Sequence, residues 1–155
     1  ELSERGITCL LVDMPLNLAV LDINRAKGLQ EEFSNINLWY IGGHSLGGSM
    51  AASYMAKNLD DYAGLILLGS YSTVDFSNAN KEILSIYGEF DLVMNKEKYH
   101  QYKSNIDDKL TEFVITGGNH AYYGMYGEQT GDGMATITNR KQIELTTNYI
   151  IEFIK

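Results

Sequence analysis

The stretch Tyr40-Ile41-Gly42-Gly43-His44-Ser45-Leu46-Gly47-Gly48 constrains the fold of this chain more than any other, because it frames one hydroxyl with glycines between an apolar run and a helix-forming run. Residues 38–41 are short, apolar and aromatic, as a buried strand requires. Residues 49–57 are rich in alanine and methionine, as a closely packed helix requires. The pattern Gly43-x-Ser45-x-Gly47 is that of a nucleophile elbow, in which a strand turns sharply into a helix and the serine sits strained at the apex. A Cβ at Gly43 or Gly47 is expected to crowd the neighbouring strand or helix. The new helix aims its first amides above Ser45, so the backbone N–H of Leu46 is a candidate oxyanion donor. The plain alternative is a glycine turn that only joins a strand to a helix.

The rest of the chain has the rhythm of alternating strands and helices. Apolar runs predict strands over residues 7–12, 38–41, 63–69, 82–88 and 112–118, the third buried on both faces as in a parallel sheet. Residues 1–6 read as the last turn of a helix capped by Gly6, and Pro15 closes the first strand. Helices are expected over residues 24–33, over 95–104 with Asn95 as cap, and from Asn139 onward with Asn139 and Gln142 as a capping box. Residues 16–23 read as an apolar loop or short helix, and residues 122–135, rich in glycine and without period, as a long loop. These elements specify a single α/β domain over residues 1–155, with a mostly parallel sheet of about five strands flanked by helices.

Charge narrows the partners. The 155 residues carry a net charge of −8, with no basic runs, which argues against nucleic acid and against an anionic membrane surface. No apolar span reaches the length of about 18 residues that a membrane helix needs. Cys9, the only cysteine, has no disulfide partner and is expected as a small core residue, so nothing suggests an oxidising compartment and a cytoplasmic location is expected. Three scattered histidines without ligand spacing predict no metal site, and no cofactor is called for.

A serine hydroxyl is a poor nucleophile near neutral pH, so acyl transfer needs a histidine to take its proton and a carboxylate to orient that histidine. The carboxyl ends of parallel strands converge on one crevice, and two runs end there with suitable groups. Gly88-Glu89-Phe90-Asp91 follows the fourth predicted strand and Gly117-Gly118-Asn119-His120 the fifth. Each has a plainer role: Asp91 as a carboxylate at a helix N-terminus, with Glu89 as a rival acid, and His120 as a satisfied loop histidine. His44 should diverge from Ser45 across the turn and either support the fold or line a pocket, while His100 reads as solvated helix surface. Leu16 and Leu18, with the tyrosines Tyr122, Tyr123 and Tyr126 near His120, are candidates for an acyl pocket or for ordinary packing.

Gly43-His44-Ser45-Leu46-Gly47-Gly48, Gly88-Glu89-Phe90-Asp91 and Gly117-Gly118-Asn119-His120-Ala121 together resemble the α/β-hydrolases, close to the bacterial esterase and dienelactone-hydrolase-like branch. So do residues 13–19, residues 126–129 and Gly131-Asp132-Gly133. The resemblance covers nearly the whole chain, and the order Ser45, Asp91, His120 matches that family's order of serine, acid and base. It implies a serine hydrolase that cleaves an ester, lactone or similar acyl bond. Asp75 becomes a further rival acid, since some members place the acid after the preceding strand. It also implies that the chain resembles the C-terminal two-thirds of the fold. The strand expected between 7–12 and 38–41, and the loop carrying the second oxyanion donor, have no counterpart in the sequence. Losing one such donor can lower the rate by about 10²–10³. The alternative function is therefore a non-catalytic or truncated hydrolase-like domain that binds a small ligand or a partner chain, with homo-oligomerisation as one way to fill the sheet.

Overall fold

The structure, a computed structural model, describes residues 1–106 and 109–154. Its core is a parallel four-stranded sheet in sequential order: β1 (Tyr40–His44), β2 (Gly64–Leu68), β3 (Glu82–Gly88) and β4 (Leu110–Ile115). The register sets Tyr40 beside Gly64, Gly64 beside Glu82, and Ile83 beside Leu110, so all four carboxyl ends reach one rim. The helices, in chain order, are α1 (Leu29–Glu32), α2 (Leu46–Met55), α3 (Lys96–Tyr102) and α4 (Asn139–Phe153).

Side chains along a strand alternate faces, and the two faces of this sheet build two cores. Leu65, Leu67 and Ile83 pack with Ala51, Ala52 and Met55 of α2 on one side. Leu84, Ile86 and Ile115 pack with Ile150 of α4 on the other. The hydroxyl of Tyr99 in α3 donates to Ser85 Oγ, so α3 shares the face of α2. Strands covered on both faces are what unbroken apolar runs select.

Several sequence expectations need correction. Residues 7–12 form no strand: a strand exists only as a partner in a ladder, and across from this segment lies a cavity of about 650 Å³ rather than β1. Leu11 is 99% exposed, and Cys9 is exposed rather than in the core. Residues 7–12 therefore do not pair with the elbow strand, and the sheet of the described residues has four strands instead of about five. The elbow strand starts at Tyr40 and runs on through Gly42 and Gly43; at Gly42 the lack of a Cβ lets β1 lie close to β2, since a Cβ there would come within 2.6 Å of the Ile66 carbonyl oxygen. The last strand is Leu110–Ile115, ending before the turn at Gly117 (φ 75°).

Of the helix expected over 24–33, only Leu29–Glu32 forms, since Gly28 sits in the left-handed region (φ 88°) and starts it late. Residues 16–23 give two single 3-10 turns. Asn95 caps α3 by accepting from the Lys98 N–H, as read from the sequence. In α4 the cap is Thr138, which accepts from the Lys141 N–H; Gln142 is buried on other duty. Among the described residues no helix is long and apolar enough to cross a membrane.

Candidate active site

Ser45 stands between the last residue of β1 and the first of α2, with φ 54° and ψ −127°. A non-glycine residue takes that conformation only when its surroundings impose it. Three hydrogen bonds do so. The Ser45 N–H donates to the Leu68 carbonyl (2.9 Å), the Ser70 hydroxyl donates to the Ser45 carbonyl (2.6 Å), and that carbonyl also accepts the first α2 bond, from Gly48 (3.1 Å). Glycine placement explains the tight turn. A Cβ on Gly43 would lie 2.6 Å from the Gly47 carbonyl carbon, and one on Gly48 would lie 2.7 Å from the Gly43 carbonyl oxygen. Gly47, expected to be equally crowded, has nothing within 4 Å of its Cβ direction, because it borders the large cavity. Leu46 opens α2, so its N–H has no acceptor within the helix.

Asp91 and His120 meet at the same rim. Asp91 lies in the loop after β3 and is 0% exposed; its Oδ1 accepts from the Val93 and Met94 amides at 3.0 and 2.8 Å. Its Oδ2 lies 2.7 Å from Nδ1 of His120, itself 1% exposed. A carboxylate at that distance selects the tautomer with the proton on Nδ1 and leaves Nε2 as the basic atom. Nε2 is buried and has no hydrogen-bond partner among the described residues. Gly69, at the end of β2 with φ 51°, makes room for the pair: a Cβ there would sit 3.0 Å from His120 Nδ1 and 3.1 Å from Asp91 Oδ2.

The rivals are elsewhere. Asp75 is exposed and accepts from the Ser77 N–H, and the Ser77 side chain, with that N–H second, holds its carboxyl below the usual range. Glu89 accepts from the Gly117 N–H at 2.9 Å, tying the loop after β4 to the loop after β3 without touching His120. His100 is on the surface.

His44 packs its ring 4.5 Å from the His120 ring and 5.3 Å from that of Tyr123, while its Nδ1 lies 3.0 Å from the Tyr126 hydroxyl. Burial, with the neighbouring His120 second, pushes its pKa from 6.5 down to about 4, so the ring stays neutral. It links the elbow to the loop that follows His120. The cavity of about 650 Å³ reaches His44, Ser45, Leu46, Gly47 and Leu18, and among the described residues no Asp, Glu, Lys or Arg lines it. Leu16 does not border it and projects into solvent. Tyr122 lines a separate cavity of about 140 Å³, and Tyr123 packs on the α4 side of the sheet with its hydroxyl buried.

Sequence reasoning assigned no place in the site to Gly69, Ser70 or Asp132, and read Gln142 as part of a helix cap rather than as a support for the His120 loop. Gly69-Ser70 ends an apolar run just as Gly88 and Gly117-Gly118 do, and that shared punctuation was the available signal.

A model described as "Alpha/beta hydrolase family" matches residues 1–144. No curated protein sequence matches the chain. Solved structures with a similar fold include a predicted CIB-like hydrolase from Thermoplasma acidophilum (17% identity, TM-score 0.56, covering 83% of this chain and 59% of that one). Another is MGS-MChE2, an alpha/beta hydrolase enzyme from the metagenome of lagoon sediments at Mar Chica, Morocco (15% identity, TM-score 0.57, 90% and 76%). A third is YahD with malic acid (12% identity, TM-score 0.52, 87% and 61%). The chain thus spans about three-fifths of the length of the first and third of these.

Proposed function

The chain belongs to the alpha/beta hydrolase family, and from that premise we propose that it is a serine hydrolase that cleaves an ester, lactone or similar acyl bond through a covalent acyl-enzyme. The observation that carries the reading is the buried Asp91–His120 pair at 2.7 Å, which leaves Nε2 of His120 unpartnered on the rim where Ser45 is held in a strained turn. Ser45 Oγ attacks the acyl carbon as His120 Nε2 takes its proton, and Asp91 stabilises the resulting imidazolium through Nδ1–H. The Leu46 N–H donates to the oxyanion as the carbonyl bond opens. His120 then returns the proton to the leaving oxygen, and a water deprotonated by Nε2 hydrolyses the acyl-Ser45 ester. Apo hydrogen bonds in such sites are commonly long and tighten with substrate, which accommodates the open Nε2. The uncharged lining of the cavity beside Ser45, together with the net charge of −8, favours neutral or apolar acyl groups over anions.

Labelling with a fluorophosphonate probe tests the proposal. Ser45-dependent labelling is expected, abolished in Ser45→Ala and slowed by about 10²–10⁴ in Asp91→Asn or His120→Gln. A folded chain that labels equally with and without Ser45 rules the proposal out. A second reading, a ligand- or partner-binding hydrolase-like domain, is favoured by the exposed apolar segment around Leu11 and would take over in that event.

A further inference from the structure

Gly131-Asp132-Gly133 has no task in the chemistry above, yet its carboxylate touches both loops that carry that chemistry. Asp91 and His120 sit on separate connections, after β3 and β4, and a hydrogen bond between two loops survives only if both are held to within about 0.5 Å. Ahead of the pair the backbone does this, with Glu89 N–H donating to Ile115 O (3.0 Å) and Phe90 N–H to Gly118 O (2.8 Å). Behind the pair no such backbone ladder exists among the described residues. There Asp132 supplies both links: its Oδ1 accepts from the N–H of Leu92, the residue after Asp91 (3.3 Å), and its Oδ2 from the N–H of Ala121, the residue after His120 (2.8 Å).

The flanking glycines fit this arrangement. Gly131 turns the chain at φ 87°. Gly133 lies so close to the acid loop that a Cβ would fall 2.0 Å from the Phe90 carbonyl oxygen. The Gly133 N–H donates to Asp132 Oδ1 at 2.8 Å, fixing the carboxylate, and the Gly133 carbonyl accepts from the Asn119 side chain at 2.9 Å. Only a carboxylate presents acceptors on both arms of one flat group; an amide would turn an NH₂ toward one of the donating amides.

We infer that Asp132 is a positioning residue that clamps the loop after Asp91 to the loop after His120 and so holds the acid–base pair in register. The inference rests on the triad reading for its purpose, but its test does not need catalysis. Histidine-selective ¹⁵N NMR reads the tautomer of His120 in the resting chain, with His120→Gln assigning the signal. The unmodified chain is expected to keep the proton on Nδ1. In Asp132→Ala, and to a smaller extent in the isosteric Asp132→Asn, the tautomer ratio shifts toward Nε2–H by about tenfold, the effect of losing a hydrogen bond to a charged group. A role confined to stability would lower the melting temperature and leave the tautomer ratio of the folded protein unchanged, and that result overturns the inference. Asp132→Asn supplies the measurement if Asp132→Ala does not fold. A tautomer that responds to Asp132 in a chain that never labels at Ser45 keeps the clamp and removes the hydrolase; labelling with an unresponsive tautomer does the reverse.

Discussion

At the scale of single residues, the pH response belongs to His44. Its ring is surrounded by His120, Tyr123 and Tyr126, with Asp91 and Asp132 near enough to pull its pKa partly back up, yet burial dominates and the folded value falls to about 4. An unfolded histidine titrates near 6.5, so between those two values the unfolded chain holds the extra proton. Stability from keeping His44 neutral is then complete above pH 6.5 and is lost as pH falls toward 4, by about 3 kcal/mol. Unfolding curves across that window should slope for the unmodified chain and flatten for His44→Gln; parallel slopes would refute the assignment. The elbow glycines separate in the same way. Gly43→Ala drives a methyl into the Gly47 backbone and should destabilise by about 1–3 kcal/mol. Gly47→Ala meets open space inside a helix and should be neutral or stabilising by up to about 1 kcal/mol. Denaturant midpoints that rank the two the other way would sink this account.

At the scale of elements, α4 is the buttress of the His120 loop. Gln142, fully buried, accepts from the Asn119 N–H at 3.0 Å and donates to the Asn119 carbonyl at 2.7 Å, so one side chain satisfies both backbone groups of the residue preceding His120. Gln142→Ala orphans both groups and should destabilise by about 2–3 kcal/mol. Gln142→Glu keeps the acceptor but faces a carboxylate with a carbonyl; it should be at least as damaging at neutral pH and recover in mild acid, where the protonated acid donates. Urea titrations at two pH values decide it, and equal stability of Gln142→Glu and the unmodified chain at neutral pH would refute the role.

At the scale of the whole molecule, the chain exposes more surface than its mass requires. Its accessible surface is 9034 Å², whereas a compact 17.4 kDa monomer exposes about 7,900 Å². Leu11, Leu16, Val20 and Leu21 project from residues 10–21 into solvent, and among the described residues β1 is an edge strand without an outer neighbour. The difference is comparable to the roughly 800 Å² per partner that a standard interface removes. Self-association through the β1 edge and this apolar segment is the expected consequence. Sedimentation should show a concentration-dependent dimer that Leu11→Lys or Leu38→Lys shifts to monomer; a monomer at every concentration, unchanged by either substitution, would speak against it.

The sequence alone determined whatever depends on neighbours along the chain. Two apolar runs marked β2 and β3 as strands covered on both faces, and a third, more mixed run marked β4. The glycine frame fixed the elbow at Ser45, Asn95 fixed the start of α3, and the positions of Asp91 and His120 just beyond strand ends placed them on one rim. Tertiary structure decided what depends on groups distant in sequence. Residues 7–12 have every local mark of a strand and are not one, since no ladder partner lies beside them. Asp75, Glu89 and Asp91 are equal candidates by type, and only packing brings Asp91 to Nδ1 of His120. Gly48, not Gly47, is the glycine pressed against a carbonyl, and Asp132 is one exposed-loop acid among many until its two oxygens meet amides on two different loops. Periodicity records which way a side chain faces; which atom it meets there is set by contacts the linear order does not contain.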